Sequence, residues 1–413
     1  MEQTPHLLCL QGMPSRFFPR IAQGLRAAGW RVSRIHFCVG DRIFWRAGDA
    51  SSYRGRYRFW PDYIRVYFAR EQVTHLLLLG EHRRYHREAV AIAKELGIQV
   101  WVTDFGYTRP DWLAFEQNGM SGGSLFPRDP DRIRALAAAA GEIDWYPQYR
   151  DHATPMVLGD LLYNFANVFL GFCYPFYRRS DRRPPTIPYT YRSALRLLGN
   201  KWQRRRTVRA QQALIASQRP YFLFPLQLSF DFQIVAYSRF ADMREAIEEV
   251  LRSFAAHASP DTLLVLKEHP WDPAMPDLAG ISRRLAETLG IAERLRYLRG
   301  GNIDLLTAGS RGMVVVNSTS GMRALVLRRP LLALGEAIYD VPGLIHPGSL
   351  DSFWQRPQAP DSQLVEDFLH ALAHSVQIRG GVFTEPGMSH AIAAAIARLQ
   401  ASLNAPLDEE LAT

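Results

Sequence analysis

Small polar residues follow the most apolar run of the sequence, three valines at 314–316. The chain continues as NSTSGMRALVLRRP, a pattern that predicts a helix ending near the proline. In open α/β sheets, ligands bind beyond the carboxyl ends of the strands, where N–H groups of the next helix attract anions. The stretch therefore indicates an anion site with four candidate residues: Asn317, Ser318, Thr319 and Gly321. Alternatively, the polar side chains only cap the helix.

A second polar cluster follows another apolar run, LLVL at 263–266, and contains Lys267, His269 and Pro270. An ammonium group attracts phosphate oxygens, and an imidazole titrates near neutral pH and is therefore a candidate proton donor. We expect the two strand ends together to form a cradle for a phosphate. The alternative is that a histidine before a proline at a strand end is purely structural.

Alternating strand and helix patterns position these clusters. Residues 6–105 alternate between short apolar runs and amphipathic helices closed by glycine, and residues 219–347 repeat the rhythm. Such a βαβ pattern predicts an α/β fold with parallel sheets covered on both faces. The two halves resemble the two facing Rossmann-like domains of GT-B glycosyltransferases. We predict an N-terminal Rossmann-like domain at 1–150, a connector at 151–215, a C-terminal Rossmann-like domain at 216–350, and a helical segment at 351–413 that packs back on the N-terminal domain.

Composition narrows the function classes. The chain has 413 residues, 47% hydrophobic and 22% charged, with a net charge of +9. The pattern contains no recognisable nucleic-acid-binding motif, so we expect no nucleic acid partner. Cys9, Cys38 and Cys173 stand in apolar surroundings and predict core residues rather than a disulfide framework or a metal site. The apolar run after Met1 is too short for a signal peptide, which predicts a cytoplasmic protein.

The predicted connector combines aromatic residues with arginines. Residues 157–179 are interrupted by Asp160 and by two asparagines, so we expect no membrane-spanning helix. Aromatic residues beside clustered arginine are typical of a segment that lies on anionic lipid, with Arg204, Arg205 and Arg206 as candidate surface contacts. The alternative is a domain-linking helix packed on the protein, with solvated arginines.

Six stretches carry a family resemblance because they occur in one order. They are the region from QGMPSRFF to CVGDRIFW near the start, GYTRPDW at 106–112, Gln227-x-x-x-Asp231-x-Gln233-Ile234, Lys267-x-His269-Pro270, NSTSGMRAL, and GEAIYDVPGL at 335–344. Together they resemble the capsule polysaccharide biosynthesis family of the KpsS/LipB type, over roughly residues 6 to 350.

The resemblance implies a retaining β-Kdo glycosyltransferase. Such an enzyme uses CMP-β-Kdo to start a poly-Kdo linker on lysophosphatidylglycerol, at the inner-membrane surface of a Gram-negative bacterium. A companion poly-Kdo transferase and the capsule ABC transporter are the implied partners. Positive charge and hydrogen bonds can assist the departure of CMP, and no Asp-x-Asp motif stands at a predicted strand end. We therefore expect neither a metal nor a cofactor.

The resemblance leaves the acidic residues open. In this family the stretch before Gly-Tyr-x-Arg-Pro commonly carries two acids, whereas this chain has Asp104 followed by Phe105. Asp231 is likewise followed by Phe232 where the family usually has serine. Retention needs a nucleophile or an equivalent double inversion, and Asp104 and Asp231 are the two candidates for nucleophile or general base. Alternatively, both are capping or turn residues.

Other stretches supply candidate contacts for the sugar, the acceptor and the nucleotide. Backbone N–H groups at Gln11, Gly12 and Ser15 are expected at the start of the helix after the first strand. The forked guanidinium of Arg109 suits an acidic sugar. The remaining candidates are Tyr107, Gln227 and Gln233 for the sugar or acceptor, and Tyr339 as a residue that closes over the nucleotide.

Two rival functions remain open. One is a catalytically weakened homologue that acts as a capsule assembly or export scaffold, suggested by Phe105 and Phe232. The other is a transferase of the same fold that uses another CMP-sugar, such as CMP-sialic acid.

Overall fold

The computed structural model describes residues 4–108, 110–179 and 183–403. The chain divides into two compact units. Unit 1 comprises residues 1–127, 139–181 and 369–413, and unit 2 comprises residues 128–138 and 182–368. Each unit is built on its own β-sheet.

The sheet of unit 1 has seven strands in the order β12-β6-β5-β4-β1-β2-β3. Their bounds are β1 His6–Cys9, β2 Arg31–His36, β3 Ala50–Ser52, β4 His75–Leu79, β5 Gln99–Phe105, β6 Trp112–Gln117 and β12 Gln377–Arg379. Strands β1 to β5 are parallel, whereas β6 pairs antiparallel with both β5 and β12. The strand β4 reads HLLLL and is buried throughout, as expected for a parallel strand covered on both faces.

Helices cover this sheet on both sides. Their bounds are α1 Phe17–Ala27, α2 Val39–Ile43, α3 Trp60–Glu71, α4 Arg84–Glu95, α6 Ala153–Phe169 and α15 Gly387–Ala401. Helix α15 packs on α1, where a Cβ at Gly24 would lie 2.3 Å from the Ile396 side chain. Glycine therefore permits the close approach of these two helices, whose apolar faces share one core cluster.

The sheet of unit 2 has five parallel strands in the order β11-β10-β7-β8-β9. Their bounds are β7 Tyr221–Pro225, β8 Leu263–Lys267, β9 Leu295–Leu298, β10 Gly312–Val315 and β11 Leu331–Ala333. The helices are α5 Pro130–Ala139, α7 Thr186–Ala216, α8 Phe232–Ala236, α9 Met243–His257, α10 Leu278–Thr288, α11 Ile303–Ala308, α12 Gly321–Val326, α13 Leu350–Gln355 and α14 Ser362–Ser375. Helix α5 extends by one residue, and the end of α14 by several, into the ranges of unit 1.

The predicted α/β class is confirmed: the chain has two Rossmann-like units, and each is built on a sheet rich in parallel strands. The antiparallel edge formed by β6 and β12 was not expected. The division also differs from the predicted boundaries, because the connector is no separate unit. Helix α6 belongs to unit 1 and α7 to unit 2, while the segment 351–413 contributes to both units.

Two further observations concern the predicted connector and the cysteines. Among the residues that the structure describes, no helix is long and apolar enough to cross a membrane. Cys9 and Cys38 are buried and Cys173 is partly exposed, and all three are free thiols.

Candidate functional site

Three adjacent strands of unit 2 carry polar residues at their carboxyl ends. Strand β7 lies between β10 and β8. Gln227 follows β7 by two residues, Lys267 is the last residue of β8, and Asn317 follows β10 by two residues. All three side chains are buried, with 5 to 7% of their surface exposed. Parallel pairing therefore brings the two predicted polar clusters to one edge of the sheet.

Gln227 and Asn317 form a buried amide pair. The Gln227 Nε2 donates to Asn317 Oδ1 at 3.0 Å, and the Asn317 backbone N–H donates to Gln227 Oε1 at 3.3 Å. The Asn317 Nδ2 also donates to the carbonyl of Gln233 in α8 at 2.8 Å. Asn317 therefore ties β7, β10 and α8 together and does not cap the helix after β10.

The loop from Ser318 to Ser320 leads from β10 into α12. The backbone N–H of Ser320 donates to Ser318 Oγ at 3.1 Å, and the N-cap residue Ser320 makes no side-chain capping bond. Thr319 is exposed. The polar side chains thus shape the turn rather than close the helix end.

The buried side chain of Tyr339 holds this loop through a hydrogen bond. Its ring is 1% exposed, its hydroxyl donates to the Ser318 carbonyl at 2.6 Å, and burial raises its pKa. A Cβ at Gly321 would lie 2.5 Å from this ring, so glycine permits the contact. This placement differs from the expectation that Tyr339 closes over a nucleotide.

Lys267 is a buried cation beside a buried carboxylate. Its Nζ donates to the Glu268 carbonyl oxygen at 3.4 Å, and burial lowers its pKa while the Glu268 charge opposes that shift. Glu268 is 2% exposed and accepts hydrogen bonds from Arg196 and from the Tyr297 hydroxyl, the latter at 3.0 Å. Sequence analysis missed Glu268, Arg196 and Tyr297, although Glu268 lies inside the Lys-x-His-Pro motif.

His269 is half-buried, and its Nδ1 accepts a hydrogen bond from the Trp271 backbone N–H at 3.1 Å. A neutral imidazole whose Nδ1 accepts carries its hydrogen on Nε2. Pro270 is exposed beside it. Asp272 follows as a buried carboxyl, and burial raises its pKa to about 6. The hydrogen bond from Trp271 therefore assigns the hydrogen of a neutral His269 to Nε2.

Asp231 caps the short helix α8. Its Oδ1 accepts from the Gln233 backbone N–H at 3.0 Å. The side-chain Oε1 of Gln233 is buried and has no hydrogen-bond partner among the residues that the structure describes. Asp231 is thus a capping residue of α8, and its role as nucleophile or base stays a prediction.

The remaining candidates lie in unit 1, and Asp104 is one residue from the end of β5. Its Oδ1 accepts from the Phe105 N–H at 2.7 Å. Tyr107 is buried: its hydroxyl donates to Glu116 at 2.6 Å and accepts from the Ser121 N–H at 2.8 Å. Tyr107 is therefore held in the core, contrary to its expected role in contacting a ligand. The candidate Arg109 lies outside the described residues.

Gln11 is also buried, at 1% exposure. Its Nε2 donates to the Tyr163 hydroxyl at 2.8 Å and to Asp41 at 3.2 Å, and the Tyr163 hydroxyl donates to Asp41 at 3.0 Å. The side chain of Gln11 therefore joins the first strand to α6, and Asp41 and Tyr163 are partners that no sequence signal indicated.

The neighbouring candidates Gly12 and Ser15 serve local packing. A Cβ at Gly12 would lie 2.7 Å from the Phe18 ring. Ser15 Oγ accepts from the Phe17 N–H at 3.2 Å, one residue before the α1 N-cap. In unit 2, the arginines 204–206 are exposed on α7.

Comparison with known proteins identifies the family of this chain. The model of the family described as capsule polysaccharide biosynthesis protein matches residues 74–383. The chain belongs to this capsule polysaccharide biosynthesis family. The family match includes every polar strand end of unit 2 described above.

Individual relatives agree with the family match. The capsule polysaccharide export protein KpsS of Escherichia coli is 29% identical over 377 residues, which cover 90% of this chain and 95% of KpsS. The capsule polysaccharide modification protein LipB of Neisseria meningitidis serogroup A is 28% identical over 392 residues, 93% of each chain. A solved structure of Thermosulfurimonas dismutans KpsC, beta Kdo 2,7 transferase, is 13% identical with a TM-score of 0.44, covering 96% of this chain and all of that chain.

Proposed function

We propose that this member of the capsule family is a retaining β-Kdo glycosyltransferase that uses CMP-β-Kdo to start the poly-Kdo linker on lysophosphatidylglycerol. The observation that carries the proposal is the polar edge of the unit 2 sheet. There, a buried lysine, a histidine with a donor at Nε2 and a buried amide pair stand at adjacent strand ends. This set of groups suits a phosphate that leaves with negative charge.

The chain's own residues account for departure of the nucleotide. The Lys267 ammonium would offset the charge that develops on the CMP phosphate. The His269 Nε2 would donate a hydrogen bond or a proton to a phosphate oxygen. The loop of Ser318 and Thr319, held by Tyr339, would present hydroxyl and backbone N–H groups to the phosphate. We propose no metal in this step, because a cation and hydrogen-bond donors suffice for a monophosphate leaving group.

Besides departure of CMP, retention of the β-configuration requires a nucleophile and a general base, and we propose a carboxylate for each role. Asp231 belongs to the unit with the phosphate cradle, and its bond from the Gln233 N–H holds one oxygen in place. Asp104 belongs to unit 1. One would attack the anomeric carbon, and departure of CMP would leave a covalent glycosyl-enzyme. The other would take the proton of the acceptor hydroxyl as it displaces the enzyme carboxylate.

The test is to incubate the purified protein with CMP-Kdo and a fluorescent lysophosphatidylglycerol, followed by mass and linkage analysis of the product. We expect a single β-linked Kdo product. His269→Ala should reduce transfer by about 10²-fold or more, the scale for a lost acid or charge-stabilising group. His257→Ala, at a partly exposed histidine on α9, is the matched control and should transfer at the parent rate. Absence of transfer in the parent protein would reject the proposal.

Phe105 supports one alternative, the assembly or export scaffold. The residue stands where the family commonly carries its second acid, and here its side chain packs against the apolar core of unit 1. CMP binding without turnover would favour the scaffold. Turnover with CMP-sialic acid but not with CMP-Kdo would instead favour a transferase of different donor specificity. We propose that the transferase acts at the inner-membrane surface. Its proposed partners are a companion poly-Kdo transferase and the capsule ABC transporter.

A further inference from the structure

Helix α6 and the turn after it expose an unusual amount of apolar surface. Leu158, Leu162 and Phe169 are 61%, 51% and 68% exposed and recur at helical spacing, so they share one face. Beyond the helix end, Phe172 and Phe176 are 74% and 44% exposed. Contiguous large apolar side chains of this kind mark an interaction surface rather than the ordinary surface of a soluble monomer.

The opposite face of α6 is firmly attached to unit 1. Asn167 Oδ1 accepts from the Gly40 N–H at 2.8 Å, and the Tyr163 hydroxyl donates to Asp41 at 3.0 Å. A Cβ at Gly159 would lie 2.5 Å from the Pro14 carbonyl oxygen. The apolar face of α6 is therefore exposed although the other side of the helix packs on unit 1.

A second, distant segment of the chain joins this surface. It follows β3 and reads RGRYRF at 54–59. The Arg54 guanidinium lies 5.3 Å from the centre of the Tyr174 ring, and that of Arg56 lies 5.1 Å from the centre of the Phe176 ring. Cation–π contacts thus place the Arg54 guanidinium beside the buried Tyr174 ring and the Arg56 guanidinium beside the exposed Phe176 ring.

The charge of the two segments is entirely positive. Residues 50–59 and 161–179 contain no Asp or Glu, and they contain five arginines, at 54, 56, 58, 178 and 179. Aromatic and aliphatic side chains beside arginines complement a bilayer whose headgroups are anionic, because the apolar groups enter the headgroup boundary while the guanidinium groups contact lipid phosphates. These two segments themselves offer a cationic protein partner no carboxylate; the adjoining carboxylates are Asp160 of α6 and Glu88, which accepts from the Tyr57 hydroxyl at 3.0 Å.

We propose that this aromatic–arginine surface binds the interface of an anionic lipid bilayer. We define the surface as the α6 face with Leu158, Leu162 and Phe169, the turn residues Phe172 and Phe176, and the segment 54–59. The inference rests on the proposed action at the inner-membrane surface and deepens it. It assigns lipid contact to a defined surface of unit 1, in addition to the arginines 204–206 of α7, which stay a prediction.

The test is flotation of the full chain with phosphatidylethanolamine vesicles that contain or lack phosphatidylglycerol. We expect binding only to the vesicles with phosphatidylglycerol, and weaker binding as salt is added. The variants Phe169→Ser with Phe172→Ser, and Arg54→Gln with Arg56→Gln, should each lower the partition coefficient about tenfold or more. Because the changed side chains are exposed, both variants should keep the parent thermal unfolding temperature. The matched control, Arg252→Gln at an exposed arginine of α9, should bind like the parent. A third variant that changes Arg204, Arg205 and Arg206 to Gln measures the separate contribution of α7.

A fluorophore attached through Phe172→Cys should shift to the blue on vesicles, whereas one attached through Leu96→Cys, at the exposed end of α4, should not. Equal binding to both vesicle types would overturn the proposal. So would loss of binding only in the α7 variant, or a change of oligomeric state without a change in lipid binding. Flotation requires no turnover, so failure of the proposed transferase activity would leave this test readable. Transfer to a monomeric short-chain acceptor should persist in both surface variants.

Discussion

The buried Glu268 offers the sharpest test of how the β8 strand end is built. Its carboxylate accepts hydrogen bonds from Arg196 of α7 and from Tyr297 of β9, and it lies beside the buried Lys267. Glu268→Gln keeps the size of the side chain and removes its charge. The change therefore removes the charged partner of Arg196 and the carboxylate whose charge raises the pKa of Lys267.

The size of the effect follows from the burial of the pair. The side chain of Arg196 is 20% exposed and that of Glu268 is 3% exposed. Removal of one partner of a fully buried ion pair costs about 3 to 5 kcal/mol. The partial exposure of Arg196, and the oxygen that glutamine retains, reduce this cost, so we expect unit 2 to lose about 2 to 3 kcal/mol of unfolding free energy. The pKa of Lys267 should also fall further, so CMP affinity should decline at a less alkaline pH than in the parent.

Urea denaturation followed by hydrogen exchange in the β8 and β9 peptides measures the loss within unit 2. Arg252→Gln removes the exposed Glu248–Arg252 pair, whose atoms lie 2.8 Å apart, and should change the free energy by less than about 0.5 kcal/mol. Adding Arg196→Leu to the Glu268 variant should recover most of the loss, because no buried charge then lacks its partner. If Glu268→Gln is as stable as Arg252→Gln, the ion pair does not stabilise the strand end and our reasoning fails.

Three further predictions concern the acids and the amide pair. Asp104→Asn should abolish transfer while CMP still binds through unit 2. Intact-protein mass spectrometry of the Asp104 and Asp231 variants shows which residue is the nucleophile and which is the general base. The variant that lacks the nucleophile traps no sugar adduct, whereas the variant that lacks the base accumulates one. Near-normal turnover of Asp104→Asn would move the acidic role elsewhere. Asn317→Ala should destabilise unit 2 by about 2 to 3 kcal/mol in urea denaturation, because it leaves buried amide and carbonyl groups unpaired, while Thr319→Ala should have little effect. Burial raises the pKa of Glu116 to about 8, so the folded state holds a proton that the unfolded chain releases above pH 4.5. The free energy of unfolding should therefore fall as the pH rises between these two values. In Glu116→Gln, the thermal unfolding temperature should no longer show this part of the pH dependence.

Much of unit 2 could be predicted from local patterns. The runs LLVL and VVV are short and continuously apolar, and both occur as buried parallel strands, β8 and β10. Because parallel strands end at the same edge of a sheet, the polar residues after β8 and β10 had to lie at one edge once both strands paired with β7. Lys267 and Asn317 were found in this way. The roles of the two candidate acids could not be assigned in this way, because Asp104 and Asp231 belong to different units.

Several candidates had the right residue type but a different role. Tyr107 and Tyr339 were expected to contact ligands, whereas their hydrogen bonds hold Glu116 and the Ser318 loop. The side chain of Gln11 holds α6, while its backbone N–H stays a candidate contact. A tyrosine or glutamine near a motif has the same local signal whether its polar end points to solvent or into the core. Burial and hydrogen-bond partners distinguish the two cases, and both depend on the whole fold.

The sequence by itself therefore determined the α/β class, the parallel strands and the strand ends that carry polar residues, since these depend on hydrophobic periodicity over a few neighbouring residues. Only the tertiary structure decided which side chains are partners. Arg196 meets Glu268 across 72 positions of the chain, and Arg54 meets Tyr174 across a still longer separation. The physical reason is that such contacts arise when the packing of apolar faces brings distant helices and strands together, so no local pattern records them.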